Sequence, residues 1–303
     1  MTPFRFLAST PACRALAAGA WVAALLTIVP DRALAQQAQN PSPMVEHTRE
    51  HPRLQKATPA GRRETLELGT LFLPDRLKLK PNRTKTVPLL VVFHAGAWLP
   101  EVAASKAKAA VITIQVGTGS GAYVAAFADA RRFPLLLEEA ERKAGVRFRP
   151  ITLAGWSAGC GAIRQLLRQP DSAARVERII AIDGIHTDYA GGKPGPLESP
   201  LETGNLDPWM GFAREAMAGR RRLLITHSEI FPGTFASTTE TADWLVRSLG
   251  LKRRAVVRWG PMRMQRLSDT RAGRLRIQGY AGNSAPDHVD QLHALPEFLR
   301  MVR

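Results

Sequence analysis

The chain has 303 residues, with 42 lysines and arginines against 26 aspartates and glutamates, a formal charge of +16 at pH 7. A field of that sign suits an anionic envelope surface or an acidic substrate; aromatic residues do not interleave with the basic runs and no recognition motif occurs, which argues against nucleic acid. With only Cys13 and Cys160 present, a disulfide framework is excluded, and no His/Cys group has the spacing of a zinc site, so no metal is expected.

At the start, Arg5 and Arg14 precede an apolar run from Ala15 to Pro30, and Ala33-Leu34-Ala35 follows it. A charged beginning, an apolar stretch too short to span a bilayer and an A-x-A site read as a signal peptide over residues 1–35. The expectation is a periplasmic or secreted protein with no stable membrane insertion after cleavage. Residues 36–61 are polar, carry Pro41, Pro43, Pro52 and Pro59, and read as a linker or a loosely docked arm. Residues 62–303 are enough for one large domain with a single core.

Within that domain, Glu64 to Leu73 alternates as an edge strand or hairpin arm. Val87 to His94 is nearly continuously apolar, as a strand buried on both faces should be, and Ala110 to Val116 is another. Phe127 to Ala144 has helical spacing that Pro134 must start or kink. Arg149 to Ala154 is a short buried strand, and Cys160 to Arg168 follows with small residues and then apolar ones at helical spacing. Val176 to Ile182 is a strand that ends in Asp183-Gly184. A Gly/Pro-rich excursion from Ile185 to Arg221 holds one helix, Pro208 to Ala218, and has the character of a substrate cap. Leu223 to Thr226 is a strand, and Thr238 to Leu249 a helix capped by Ser237 with Glu240 three residues on. Ala255 to Trp259 and Leu275 to Gln278 are the last expected strands, and Pro286 to Met301 the last helix. Strands that alternate with helices predict an α/β class with a mainly parallel sheet covered on both faces.

The most informative stretch is Gly155-Trp156-Ser157-Ala158-Gly159, set between a strand and a helix. A serine on a strained turn projects its hydroxyl, and a large side chain two positions away on either side would collide with the neighbouring strand or helix. This pattern resembles the nucleophile elbow of the α/β-hydrolase family, and the resemblance covers about Glu64 to Arg303. It implies an α/β-hydrolase fold and a serine hydrolase in which Ser157 is the nucleophile. The order of candidate groups along the chain, serine, acid, histidine, is also that of the family.

The resemblance directs attention to three further places. His94-Ala95-Gly96-Ala97-Trp98 follows a buried strand and is similar to the family's His-Gly-Gly-Gly loop, with alanine at two of the glycines. Gly96 or Ala97, with Ala158, are the candidate oxyanion donors, and His94 is expected to be structural. His288 lies just after the last strand, where the family places its base; His293, about one and a half turns further on, is assigned to packing or surface. For the acid, Asp183 is favoured, being short and followed by glycine, and Glu229 is the alternative. Trp98, Trp156, His186 and Trp209 are candidates for the substrate pocket, and Cys160 for packing. The resemblance implies ester cleavage without a cofactor. A peptidase on the same scaffold and a non-catalytic binding protein are the competing readings, although no member of the triad is visibly lost.

Overall fold

A computed structural model describes residues 50–78, 86–192, 194 and 199–303. The expected signal peptide and most of the expected linker therefore lie outside the described residues. The part of the linker that is described docks on the domain. His51 Nδ1 lies 2.6 Å from Asp290 Oδ2, Arg53 Nε donates to Asp290 Oδ1 at 3.1 Å, and the Leu54 N–H donates to His293 Nδ1.

Ten strands form one mixed sheet in the order β1-β2-β4-β3-β5-β6-β7-β10-β9-β8. They are β1 (Gly61–Thr65), β2 (Thr70–Pro74), β3 (Thr86–Phe93), β4 (Ala110–Ile114), β5 (Arg147–Trp156), β6 (Arg178–Ile182), β7 (Arg222–His227), β8 (Ala255–Trp259), β9 (Gln265–Ala272) and β10 (Leu275–Tyr280). The six central strands, β4, β3, β5, β6, β7 and β10, pair in parallel. Antiparallel hairpins close both edges.

The central strands are apolar along their length because both faces are covered. In β3, Val91 and Phe93 point into one core, and Leu90 and Val92 into the other; in β6, Ile179 and Ala181 alternate with Ile180 and Ile182 in the same way. Helices α3 (Arg132–Ala144), α4 (Cys160–Leu167), α6 (Asp207–Met217) and α7 (Thr238–Ser248) cover the first face. Helices α1 (Trp98–Ala107) and α9 (Leu295–Met301) cover the second. Two short helices, α2 (Ser120–Ala126) and α5 (Pro170–Ala174), and α8 (Ala285–His293) complete the set. This is the α/β-hydrolase fold that the sequence led us to expect.

Several elements differ from expectation for local physical reasons. The single strand over Glu64 to Leu73 is a hairpin. Gly69 turns it with φ +92°, where a Cβ would stand 2.3 Å from the Thr113 carbonyl oxygen. The helix expected from Phe127 starts at Arg132, because Pro134 is accommodated only in the first turn; Phe127 instead follows α2. The last helix is two, broken at Ala294, with Pro296 in the first turn of α9. An unexpected strand, β9, fills the gap between Trp259 and Leu275. Its buried Ser268, Asp269 and Thr270 gave no apolar signal.

Because the central strands are parallel and in register, their carboxyl ends form one row. Trp156 pairs with Ile182, and Ile182 with Thr226. The next residues, Ser157 and Asp183 just past their strands and His227 at the last position of β7, therefore stand side by side at the edge where ligand crevices form in open α/β sheets.

Candidate active site

Three residues at the ends of β3, β5 and β6 hold left-handed backbone despite having side chains: His94 (φ +66°), Ser157 (φ +50°) and Asp183 (φ +43°). Such positions cost on the order of 1–3 kcal/mol each and persist only where surrounding packing enforces them. At Ser157 the enforcement is visible. A Cβ on Gly155 would lie 2.9 Å from Cys160 N, one on Gly159 2.3 Å from the Phe93 carbonyl oxygen, and one on Gly184 2.3 Å from the Ser157 carbonyl oxygen. The turn from β5 into α4 is thus pressed against β3 on one side and the β6 loop on the other. Gly159→Ala is expected to destabilise the protein by about 1–3 kcal/mol through this overlap. Gly211→Ala, in α6 with no atom within 4 Å of the added methyl group, should instead be neutral or stabilising by up to about 1 kcal/mol. Urea denaturation of the two variants checks the contrast, and equal effects would contradict the packing argument.

Asp183 is 1% exposed, and its carboxylate is fully engaged. Oδ1 accepts from the Ser228 N–H at 2.8 Å and from Thr238 Oγ1 at 2.6 Å; Oδ2 lies 2.7 Å from His288 Nδ1. Burial alone would raise its pKa, but the charge and hydrogen bonds of His288, Thr238 and Ser228 outweigh that and hold it at about 2. An ionised carboxylate only accepts, so Nδ1 of His288 carries a proton, which in the neutral ring leaves the lone pair on Nε2. Helix α8 fixes the ring's origin. Ser284 and Asp287 form a reciprocal capping box at its N-terminus, so Asp287 serves the helix end.

Glu229 does something else. It is exposed; its N–H donates to the Gly282 carbonyl oxygen at 3.0 Å and its Oε2 accepts from the Gly282 N–H at 3.2 Å. It braces the loop that leads to His288.

Trp156 joins the candidate groups. Its ring stacks on His94 at 5.2 Å and lies 4.7 Å from the His288 ring, and its Nε1 donates to the His288 carbonyl oxygen at 3.0 Å. His94 is held in turn by Tyr123, whose hydroxyl is 3.0 Å from Nδ1. Ala158 is buried beside Ser157 and lines the same cleft. Gly96 and Ala97 are exposed at the start of α1, where a helix leaves its first N–H groups without helical partners.

A cleft of about 420 Å³ opens at Ser157. Of the four pocket candidates, only His186 lines it. Trp209 is 1% exposed within the core: amphipathic α6 turns it onto the sheet, a correction to the pocket assignment. Trp98 is half-buried with its ring 5.6 Å from His293, between α1 and α8 and away from the cleft. The walls that sequence reasoning missed are Thr118 to Ser120, after β4, and Arg164, on α4. The run Gly117-Thr118-Gly119-Ser120-Gly121 was the available signal for the first. The excursion from Ile185 contributes Thr187, Asp188 and Asn205, while Phe235, beyond its expected end, packs edge-on against His186 at 5.3 Å.

Two other site-edge residues are inert. Cys160 is buried, which raises its thiol pKa, and its Sγ donates to the Gly155 carbonyl oxygen. His227, 3% exposed, is pushed down to about 4, chiefly by burial and then by the Arg253 charge. Arg253 Nη1, which only donates, lies 2.9 Å from Nε2, so the ring is neutral with its proton on Nδ1, 2.8 Å from Thr239 Oγ1. Between pH 6.5 and 4 the unfolded chain protonates this histidine and the folded one does not, so stability falls as pH falls through that window, by about 3 kcal/mol in full. His227→Gln should lose stability at pH 7 yet shrink the difference between pH 7 and pH 4.5 by on the order of 2 kcal/mol. Urea titrations at both pH values test this, and an unchanged difference would refute it.

Among the described residues, His51, Asp287 and Asp290 bring possible metal-ligand atoms within 4.8 Å of one another. Asp290 is engaged by His51 and Arg53, and Asp287 by the α8 cap.

No family model and no curated sequence matches the chain. Among solved structures it is similar to a hyperthermophilic esterase from the archaeon Pyrobaculum calidifontis, at 14% identity over 77% of each chain and a TM-score of 0.42. It is similar to carboxyl esterase 2 from the mycorrhizal fungus Tuber melanosporum, at 16% identity over 90% of this chain and 98% of that one, TM-score 0.42. A third is the acetyl xylan esterase from Aspergillus awamori, at 13% identity over 76% and 93%, TM-score 0.43.

Proposed function

We propose that the protein is an exported serine hydrolase that cleaves a carboxylic ester through an acyl-enzyme. The observation that carries this reading is the conjunction of a strained serine at the end of β5 with a buried, ionised Asp183 2.7 Å from Nδ1 of His288. Ser157 Oγ attacks the ester carbonyl while His288 Nε2 takes its proton. The tetrahedral oxyanion is met by backbone N–H groups, from Ala158 and from Gly96 or Ala97. On collapse the C–O bond to the alcohol breaks and His288 returns the proton to the leaving oxygen. Water, deprotonated by the same nitrogen, then releases the acid and restores Ser157. Asp183 holds the required tautomer and offsets the charge of the transient imidazolium. None of these steps calls for a cofactor.

A panel of p-nitrophenyl esters of increasing acyl length tests the reaction class. Turnover of at least one ester well above background is the expected result; amide cleavage with no ester cleavage would favour a peptidase instead. Export is tested separately. The mature chain isolated from its native host should begin at Gln36, and an intact Met1 in the exported fraction would contradict that. The basic surface is proposed to hold the mature protein near an anionic envelope.

A further inference from the structure

The cleft at Ser157 has one charged wall that the reaction just described does not use. Arg164 stands on α4 beyond the elbow, half-buried and lining the cleft. Helical side chains lean back toward the N-terminus, which carries its guanidinium toward Ser157. Its single hydrogen bond is a long one, from Nη1 to the His186 carbonyl oxygen at 3.3 Å. Its Nε is buried with no hydrogen-bond partner among the described residues, and none of their carboxylates lies within 4.0 Å of it.

Elsewhere on this protein arginines find acids: Arg63 pairs with Glu101, Arg253 with Asp243 and Arg271 with Asp269. Arg164 has no such pair: burial and the charge of Arg168 on its own helix make its protonated form less favourable, and the charge of Asp188 offsets this only in part, without an ion pair. An arginine stays charged in any protein, so this guanidinium keeps a buried Nε–H without a hydrogen-bond partner among the described residues, at the wall of the cleft. Its environment is completed by an anion with two oxygens, for which the planar fork is matched.

The neighbours agree with that. His186 Nδ1, on the same wall, is buried and has no hydrogen-bond partner among the described residues, and burial keeps the ring neutral near pH 7, with a pKa of about 4. It can therefore donate one N–H to an anion without adding a repelling or competing charge of its own. Thr118 and Ser120, each with a hydroxyl to offer, line the same space. Asp188 is the one carboxylate among the lining residues, and it is exposed at the rim.

We propose that this cleft selects esters that carry a carboxylate, with Arg164 receiving the carboxylate while Ser157 attacks the ester carbonyl. The inference rests on the hydrolase reading for the ester and on Arg164 for the anion. The carboxylate can belong to the acyl part, as in a half-ester of a short dicarboxylic acid, or to the alcohol.

Paired substrates separate these sources. For the acyl side, monomethyl glutarate is compared with methyl valerate by pH-stat; for the alcohol side, 3-acetoxybenzoate is compared with phenyl acetate. The wild type should prefer the charged member of one pair by at least tenfold in kcat/KM. Arg164→Gln should reduce that ratio at least tenfold, and Arg164→Lys, which keeps the charge and loses the fork, should fall between. A ratio is read, so a general loss of activity cancels. Should Arg164→Gln not fold, Arg164→Lys and the decline of the wild-type ratio with added salt carry the test. Binding is measured independently, by calorimetry of monomethyl glutarate and of 3-acetoxybenzoate with Ser157→Ala, in which neither is consumed.

Esters cleaved without a charge preference, or with a preference that Arg164→Gln leaves intact, would overturn this inference and leave the hydrolase reading standing. Selective binding of a carboxylate ester by a protein that cleaves no ester would do the reverse.

Discussion

Replacing Ser157 with alanine is expected to lower kcat for any accepted ester by on the order of 10⁶, because a triad without its nucleophile retains only binding and oxyanion stabilisation. The variant should fold normally. Alanine is the smaller residue, and the glycines at 155, 159 and 184 that admit the turn are untouched. The φ of +50° at this position is unfavourable for alanine as it is for serine, so the backbone strain is common to both. Steady-state kinetics with a sensitive ester, alongside a urea titration, separates chemical loss from structural loss. A fall below tenfold with the fold intact would remove Ser157 from the reaction.

Asp183→Asn is expected to cost about 10⁴ in kcat, the loss seen when a triad histidine is held in the wrong tautomer. The present geometry says why the loss should be that large. Oδ1 is occupied by two donors, the Ser228 N–H and the Thr238 hydroxyl. The amide oxygen of an asparagine must take that side, which turns its NH₂ toward His288 Nδ1. Nδ1 then becomes the acceptor, Nε2 carries the proton, and no lone pair faces the serine. Glu229→Gln should change kcat severalfold at most, since Glu229 contacts Gly282. If the two variants exchanged their effects, the acid would be Glu229.

Why the sequence left those two carboxylates open is instructive. Each sits just beyond a strand, Asp183 after β6 and Glu229 after β7. What separates them is lateral register, Ile182 against Thr226, which aims the Ser228 N–H at Asp183 and leaves Glu229 facing the Gly282 loop. Nothing within either segment encodes that pairing. The elbow, by contrast, was legible because the serine and both of its glycines fall within five consecutive residues, although the contact that demands Gly159 is made with Phe93 on β3. The central strands were legible because burial on both faces makes them apolar throughout.

Elsewhere one sequence property serves two ends. Trp209 was assigned to the pocket on hydrophobicity, yet the same property buries it beneath α6. Strand β9 was missed because Ser268, Asp269 and Thr270 are buried with polar partners, among them Arg271 and Gln278 on Asp269. Arg164 is, in the sequence, one arginine among several on a helix. Only the three-dimensional cleft sets it apart from Arg168, which reaches Gly204 and Asn205 in the excursion after Ile185.

The central claim is that Ser157 is an activated nucleophile, and active-site labelling tests it most directly. The wild-type protein is treated with a fluorophosphonate at neutral pH, digested, and the modified residue mapped by mass spectrometry. One adduct on the peptide that contains Ser157, absent from Ser157→Ala and strongly slowed in Asp183→Asn, is the predicted result. Labelling that persists in Ser157→Ala, or a folded wild-type protein that takes up no label, would contradict it.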